Sequence, residues 1–270
     1  MSSIGELCQQ FHFEFALTPI MGAEIECYVM LADETPAAID KFWEPVEKAF
    51  HHDGLSILRI EKERGVNQYE IVTNVMLPQD LAYTLAKVRQ TIEKYAARMH
   101  VEVSFAAKPF ADQPSSGIHL HLHLADAQGV NVFHKTDDWA SSALLYSLGG
   151  LLKKLPSDMP IFFPNFEDYA RLRDEDHVPK IFGWGVNNRY CALRIPATSD
   201  QYDKRIEHRV PCANADASAT IAAMLGGVLL GLREKIIPPE QQYGKWGNGA
   251  TFQQLAAAPV SERTYIGAEG

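Results

Sequence analysis

The stretch SSGIHLHLHL, residues 115–124, sets His119, His121 and His123 at every second position with leucines between them. Successive side chains of an extended strand point to opposite faces, so the three imidazoles share one face and Leu120, Leu122 and Leu124 the other. One face suits a core; the other carries groups that bind metals or move protons. A solvated strand face, or rings satisfied by backbone carbonyls, is the alternative that this run alone leaves open.

The same period of two sorts charge elsewhere. Glu24 and Glu26 share a face in AEIEC, and Glu70 opposes Tyr69 and Ile71 in QYEI, with Glu63 seven residues earlier across a Gly-containing bend. Arg205, Glu207 and Arg209 lie opposite Ile206 and His208, and Arg194 lies opposite Cys191 and Leu193. Any one of these strands could present a solvated charged face; four of them together argue for a site. Closely spaced carboxylates repel and raise one another's pKa, so the cluster calls for a counter-charge. Five glutamates and a histidine are mostly hard oxygen donors that suit Mg²⁺ or Mn²⁺, whereas structural zinc would want cysteines. Arginines on the same face match phosphate oxygens, which such metals also bridge. The sum is a metal-bound nucleoside triphosphate.

The elements that must position these groups come in irregular order. GAEIECYVML reads as a strand, residues 35–52 as a helix, and SILRIEKE with NQYEIVTNV as two strands or a hairpin. Asp80 is placed to cap a helix whose Leu81, Leu85, Val88, Ile92, Tyr95 and Met99 recur every three to four residues. VEVSFAAKP and the histidine strand are expected to pair antiparallel, followed by a helix over WASSALLYSLGGLLKKL that Pro156 stops. A long polar connection, 164–188, leads to the strands NRYCALRIP and KRIEHRVP and to a final helix from about Ala215 to Glu234. The expectation is one α+β domain over 1–270, with a core at about 22–235 and a loosely structured tail at 236–270.

Bulk properties exclude several classes. A formal charge of −9, with no Lys/Arg block, argues against nucleic-acid and anionic-membrane partners. Cys8, Cys27, Cys191 and Cys212 lie far apart without metal-knuckle spacing, which fits reduced thiols in the cytoplasm. No export signal is apparent, and the apolar stretch at 219–232 is too short to span a bilayer.

In order along the chain, GAEIECYVM, ERGVNQYEIV, AAKPF with SSGIHLHLHL, NNRYCALRIP and KRIEHRVPCANADASATIAAMLGG resemble the segments of the glutamine synthetase catalytic domain, from about Gly22 to Leu232. The resemblance implies an antiparallel curved sheet flanked by helices. It implies two or three Mg²⁺ or Mn²⁺ ions, with Glu26, Glu63 and Glu70 on one and Glu24, His119 and Glu207 on another. His121 and Arg205 resemble nucleotide or phosphate contacts. Arg189 and Arg194 resemble arginines that steady ATP, and Arg171 and Arg209 those that hold the amino-acid substrate, near Ser115 and Gly117. The implied activity is carboxylate–amine ligation: a carboxylate attacks ATP, and an amine displaces phosphate from the acyl phosphate.

Departures bear on the amine half. The family's small β-rich N-terminal domain and its ammonium-pocket aspartate have no counterpart, which suggests an assembly smaller than a dodecamer or a separate capping partner. The family's flap glutamate aligns with His177, a potential proton acceptor that lacks the negative charge to attract ammonium. Outside the amine half, its Asn-Gly pair that contacts the glutamate backbone becomes Pro114 and Ser115, and a serine near the adenine becomes His123. The reading is an ATP-dependent carboxylate–amine ligase, acting either on an amine or acid other than ammonia and glutamate or as an ordinary glutamine synthetase. A phosphotransferase that stops at the phosphorylated acid and a non-catalytic nucleotide-binding relative are the alternatives.

Overall fold

The computed structural model describes residues 2–31, 35–134, 140–172, 178–198, 200 and 203–245. Helices α1 (Ile4–Phe15), α2 (Pro36–His52), α3 (Pro78–Met99), α4 (Ser142–Phe162) and α5 (Ala217–Glu234) alternate irregularly with strands. The strands are β1 (Thr18–Met30), β2 (Ile57–Lys62), β3 (Gln68–Thr73), β4 (Glu102–Ser104), β5 (Ile118–Ala125), β6 (Ile181–Val186), β7 (Cys191–Ile195) and β8 (Ile206–His208), with a 3-10 helix at Phe166–Leu172.

All eight strands form one open sheet in the order β2-β3-β1-β5-β8-β7-β6, with β4 also on β1. The 13-residue β1 is its spine. Its residues Glu24 to Tyr28 pair with β3, while Thr18 to Ile25 pair with β5 and Tyr28 to Met30 with β4. Thus β4 and β5 do not pair with each other as their sequence adjacency suggests; they follow one another along the same edge of β1.

The sheet is mixed rather than antiparallel throughout, because β6 and β7 run parallel. Only Asn187–Tyr190 join them. Asn187 reverses the chain with a left-handed φ of 50°. The five steps back to Cys191 can span about 17 Å, roughly the length of β6, so the link needs no crossover helix. Glycine at two alternate positions of IFGWGV lowers strand propensity, which hides β6 within what reads as a polar connection.

One face of the sheet is apolar. Ile25, Cys27, Ile71, Ile118, Leu120, Leu122, Leu124, Leu193 and Ile206 are buried in a core shared with the helices. α3 and α1 pack on β1, and α5 packs on α1, α3 and α4. Among the described residues α5 is the one helix long and apolar enough to cross a membrane; here its apolar surface is largely buried in the protein. α1 begins with a capping box between Ser3 and Glu6, a signal present in the sequence, and docks on α5 through Glu14 and Gln10 to Arg233.

Three boundaries differ from expectation. α3 starts at Pro78 behind Leu77, with no side-chain cap, and Asp80 lies within its first turn, where its charge suits the helix N-terminus. α4 runs through Pro156 and Pro160 to Phe162. Burial of Leu155 and Phe162 and a 3.1 Å Lys154–Asp158 ion pair hold the turns that proline weakens. After α5 the chain has no regular element but is anchored: Trp184 Nε1 donates to Pro239 O at 2.7 Å and Gln242 N to Trp184 O at 2.9 Å. Residues 246–270 of the expected tail lie outside the described residues.

α4 and α5 cross on glycines. A Cβ on Gly231 would stand 1.9 Å from the Tyr146 carbonyl oxygen, and one on Gly150 2.2 Å from that of Gly227. Backbone cannot yield as a side-chain tip can, so Gly231→Ala is expected to cost at least about 1–3 kcal/mol by overpacking. Gly5→Ala, in α1 with nothing within 4 Å, should instead be neutral or stabilising by up to about 1 kcal/mol. Urea unfolding of the two variants checks the contrast.

Candidate active site

Residues opposite each other in an antiparallel pair share a face. Glu26 faces Glu70 across β1–β3, Glu24 faces His119 across β1–β5, His121 faces Glu207 across β5–β8, and Glu207 faces Arg194 across β8–β7. Four successive pairings thereby lay a row of charged groups across five strands. Glu63 stands just beyond β2, where its N–H donates to Gln68 O at 2.8 Å and closes the bend toward Glu26 and Glu70.

The six residues expected to bind metal all line one cavity of about 210 Å³, together with Arg171, Arg189, Arg194, Arg209 and Ser115. Three groups of donor atoms each lie within 4.8 Å of one another: Glu26, Glu63 and Glu70; Glu24, Glu70 and His119; Glu24, His121 and Glu207. The first is the trio the resemblance implies. The second set is divided differently, for Glu24 spans both rings: Oε2 lies 3.1 Å from His119 Nδ1, and Oε1 lies 3.2 Å from His121 Nε2. His119 Nδ1 is 3.9 Å from Glu207 Oε1. His121, expected at the nucleotide, thus has as good a claim to a cation as His119.

Charge is compensated at one end and not at the other. Burial would raise Glu207, but Arg209, both histidines and Arg194 bring it down to about 2. Burial opposes ionisation of Glu24 too, and hydrogen bonds from His119 and His121 overcome it, holding the carboxyl well below the usual range. Glu70 is pushed up to about 9, first by burial and then by Glu24, Glu26 and Glu63. Glu63 is raised by burial and by Glu26. The trio therefore fits a hard divalent cation: it is oxygen-only, tightly grouped, and holds a proton where positive charge is needed. His208, on the core face against Phe162, is a neutral core histidine that burial lowers to about 3.

Arginines close the cavity. Arg194 donates to Glu207 Oε2 and to Asn187 Oδ1, each at 2.7 Å, and Arg209 donates to Glu207 Oε1. Arg171, on the 3-10 helix, donates to Ser115 Oγ at 3.0 Å and to Arg209 O at 3.3 Å. Its guanidinium lies across Gly117, where a Cβ would meet Nη2 at 2.1 Å. Gly117 N donates to Glu26 Oε2 at 2.7 Å, so this glycine sits between Arg171 and the carboxylate row. His121, His123 and Arg205 line an adjoining cavity of about 300 Å³, with Arg205 Nε donating to His121 Nδ1 at 3.2 Å. His177 lies outside the described residues.

Sequence reading passed over Arg59, Glu61, Arg64 and Gln68, all of which line the first cavity. Gln68 was legible, since it shares a face with Glu70; its Nε2 donates to Ser115 O at 3.0 Å and ties the Glu63 bend to the segment under Arg171.

A family model for the glutamine synthetase catalytic domain matches residues 32–255, and the chain belongs to that family. It is 34% identical over 187 residues to γ-glutamylputrescine synthetase PuuA of Escherichia coli (strain K12), covering 67% of this chain and 39% of the relative. It is 29% identical to a glutamate–isopropylamine ligase of a Pseudomonas species, over 81% of this chain and 47% of the relative. With glutamine synthetase of Thermotoga maritima it shares 26% over 84% of this chain and 56% of the relative. The chain thus spans about half the length, or less, of these relatives. A solved structure of GmaS in complex with ADP matches its fold with a TM-score of 0.82 at 19% identity, over 98% of this chain and 69% of that one.

The raised Glu70 carboxyl gives a signed prediction. A carboxyl that keeps its proton when folded and loses it when unfolded favours folding below the unfolded value of about 4.3 and disfavours it increasingly as pH rises toward 9. Glu70→Gln should therefore raise the thermal midpoint of the metal-free chain at pH 7.5 by at least 2–4 °C, the shift that about 1 kcal/mol gives a chain of this size. The gain should vanish near pH 4, and Mn²⁺ should stabilise the variant less than the parent. Thermal scans at the two pH values decide it.

Proposed function

We propose that the chain carries the chemistry of an ATP-dependent carboxylate–amine ligase that joins an amine to glutamate or a close analogue through an acyl phosphate. The observation that carries this reading is the convergence of the donor-atom groups Glu26, Glu63, Glu70 and Glu24, Glu70, His119 within one cavity beside Arg171, Arg194 and Arg209. The names of two relatives, each pairing glutamate with an organic amine, favour an acceptor other than ammonia. That agrees with an amine half altered at His177. Four free cysteines fit the reducing, ATP-supplied cytoplasm in which we place it.

Glu26, Glu63 and Glu70 would hold one Mg²⁺ or Mn²⁺, and Glu24 and Glu207 with His119 or His121 a second; when bound, such ions neutralise phosphate charge. Arg171 binds the carboxylate of the acid, oriented by Ser115 and by the space that Gly117 leaves. The acid's oxygen attacks the γ-phosphorus and the bond to ADP breaks, with Arg194 and Arg189 screening the approach of the two anions. The amine nitrogen then attacks the acyl carbon, phosphate leaves, and the amine proton passes to a base, the role proposed for His177. Arg209 and Arg194 also fix Glu207, whose burial without them would be costly.

Incubation with ATP, Mg²⁺, hydroxylamine and a panel of carboxylic acids should yield a hydroxamate, with glutamate or an analogue as the best substrate. Glu207→Ala should lower the rate at least about 100-fold, as removal of a preorganised charged group does. Phosphate release without a trapped product would favour the phosphotransferase; no phosphate release with any acid would contradict the assignment.

A further inference from the structure

Two cavities meet at this site, and of the residues lining them only Glu24 and Arg59 line both. The first is the carboxylate-rich chamber. The second is a groove whose wall is partly apolar, with Leu58 and Val75 exposed at its rim, and partly basic, with Arg205 beside His121 and His123. Any molecule that occupies both must thread between an acid and a base.

Arg59 reaches that junction because β2 is irregular. Ile57 pairs with Thr73 and Arg59 with Val72, so two residues of β2 advance while one of β3 does. Leu58 is the extra residue of a bulge. In a regular strand Leu58 and Arg59 would point to opposite faces, yet both line the groove. Bulges re-aim side chains in this way beside functional sites. The Arg59 side chain is 43% exposed and its Nε lies 2.9 Å from Glu61 Oε1, an ion pair in partial contact with water. Such pairs contribute little to stability, so the guanidinium is available to a better anion.

Resting on the phosphoryl-transfer reading above, we infer that Arg59 is a further polyphosphate-binding residue, one that holds the non-transferred phosphates of the nucleotide. The base of a nucleoside triphosphate lies against Leu58 and Val75, and the phosphate chain crosses the junction into the chamber with Arg59 exchanging Glu61 for its non-transferred phosphates. A guanidinium fork matches phosphate oxygens in pairs, which an ammonium does not. Arg59 then supplies affinity for the triphosphate that the nucleoside alone cannot draw on.

Titration calorimetry with a non-hydrolysable ATP analogue plus Mg²⁺, and separately with adenosine, tests this on the parent chain, Arg59→Gln and Arg59→Lys. Arg59→Gln should bind the analogue roughly tenfold or more weakly, the loss of one charge-assisted contact, and bind adenosine unchanged, with Arg59→Lys between. Mn²⁺ binding without nucleotide should be unchanged in Arg59→Gln; a loss of Mn²⁺ binding that accounts for the weaker analogue binding would overturn the inference. Unchanged analogue affinity in Arg59→Gln, or an equal loss for adenosine and analogue, would overturn the inference. A parent chain that binds no analogue at all would remove the phosphoryl-transfer reading itself, and this inference with it.

Discussion

Mutual repulsion of carboxylates on one sheet face is the constraint around which the molecule is built. Two such charges about 4 Å apart cost about 4 kcal/mol at an effective dielectric of 20, a large part of a domain's whole stability. The fold tolerates this in two ways. At the Glu207 end, Arg194, Arg209 and two histidines supply positive charge from neighbouring strands. At the Glu70 end the positive charge of Arg59 is outweighed by burial and three neighbouring carboxylates, and the carboxyl keeps a proton instead. A site left half-compensated by its own residues is one prepared for a cation.

Holding that row together falls to the opposite face. Period-two alternation gives the strand-borne charged groups apolar neighbours in the core: Ile25 between Glu24 and Glu26, Leu120 between His119 and His121, Ile206 before Glu207. A one-residue slip in any pairing would exchange the two faces, so burial against α1 and α3 fixes the register of β1 that places these groups. The glycine crossing lets α4 and α5 sit close together, and α5 in turn packs on the two helices, α1 and α3, that cover β1.

Much of this was legible in the chain. AEIEC, QYEI, HLHLHL and RIEHR declare their faces through alternation alone, whereas Glu63 lies off the strand and obeys no period, so its grouping with Glu26 and Glu70 came from the family resemblance. What could not be read has specific causes. The division of His119 and His121 between ligand groups depends on the tilt of Glu24 between two rings, which spacing does not encode. Arg59 was hidden because a bulge breaks the rule that revealed the others. Adjacency suggested a β4–β5 hairpin, whereas the long β1 had room on one edge for both strands. Pro156 is a valid stop signal that tertiary packing overrode.

The central claim is that these carboxylates converge on a pair of hard cations. Anomalous diffraction from crystals grown with Mn²⁺ tests it most directly. The account predicts two strong peaks in the chamber, one within ligand distance of Glu26, Glu63 and Glu70 and the other of Glu24 and Glu207 with one of the two imidazoles. Crystals saturated with Mn²⁺ that show no peak there, or place it among exposed acids elsewhere, would contradict it.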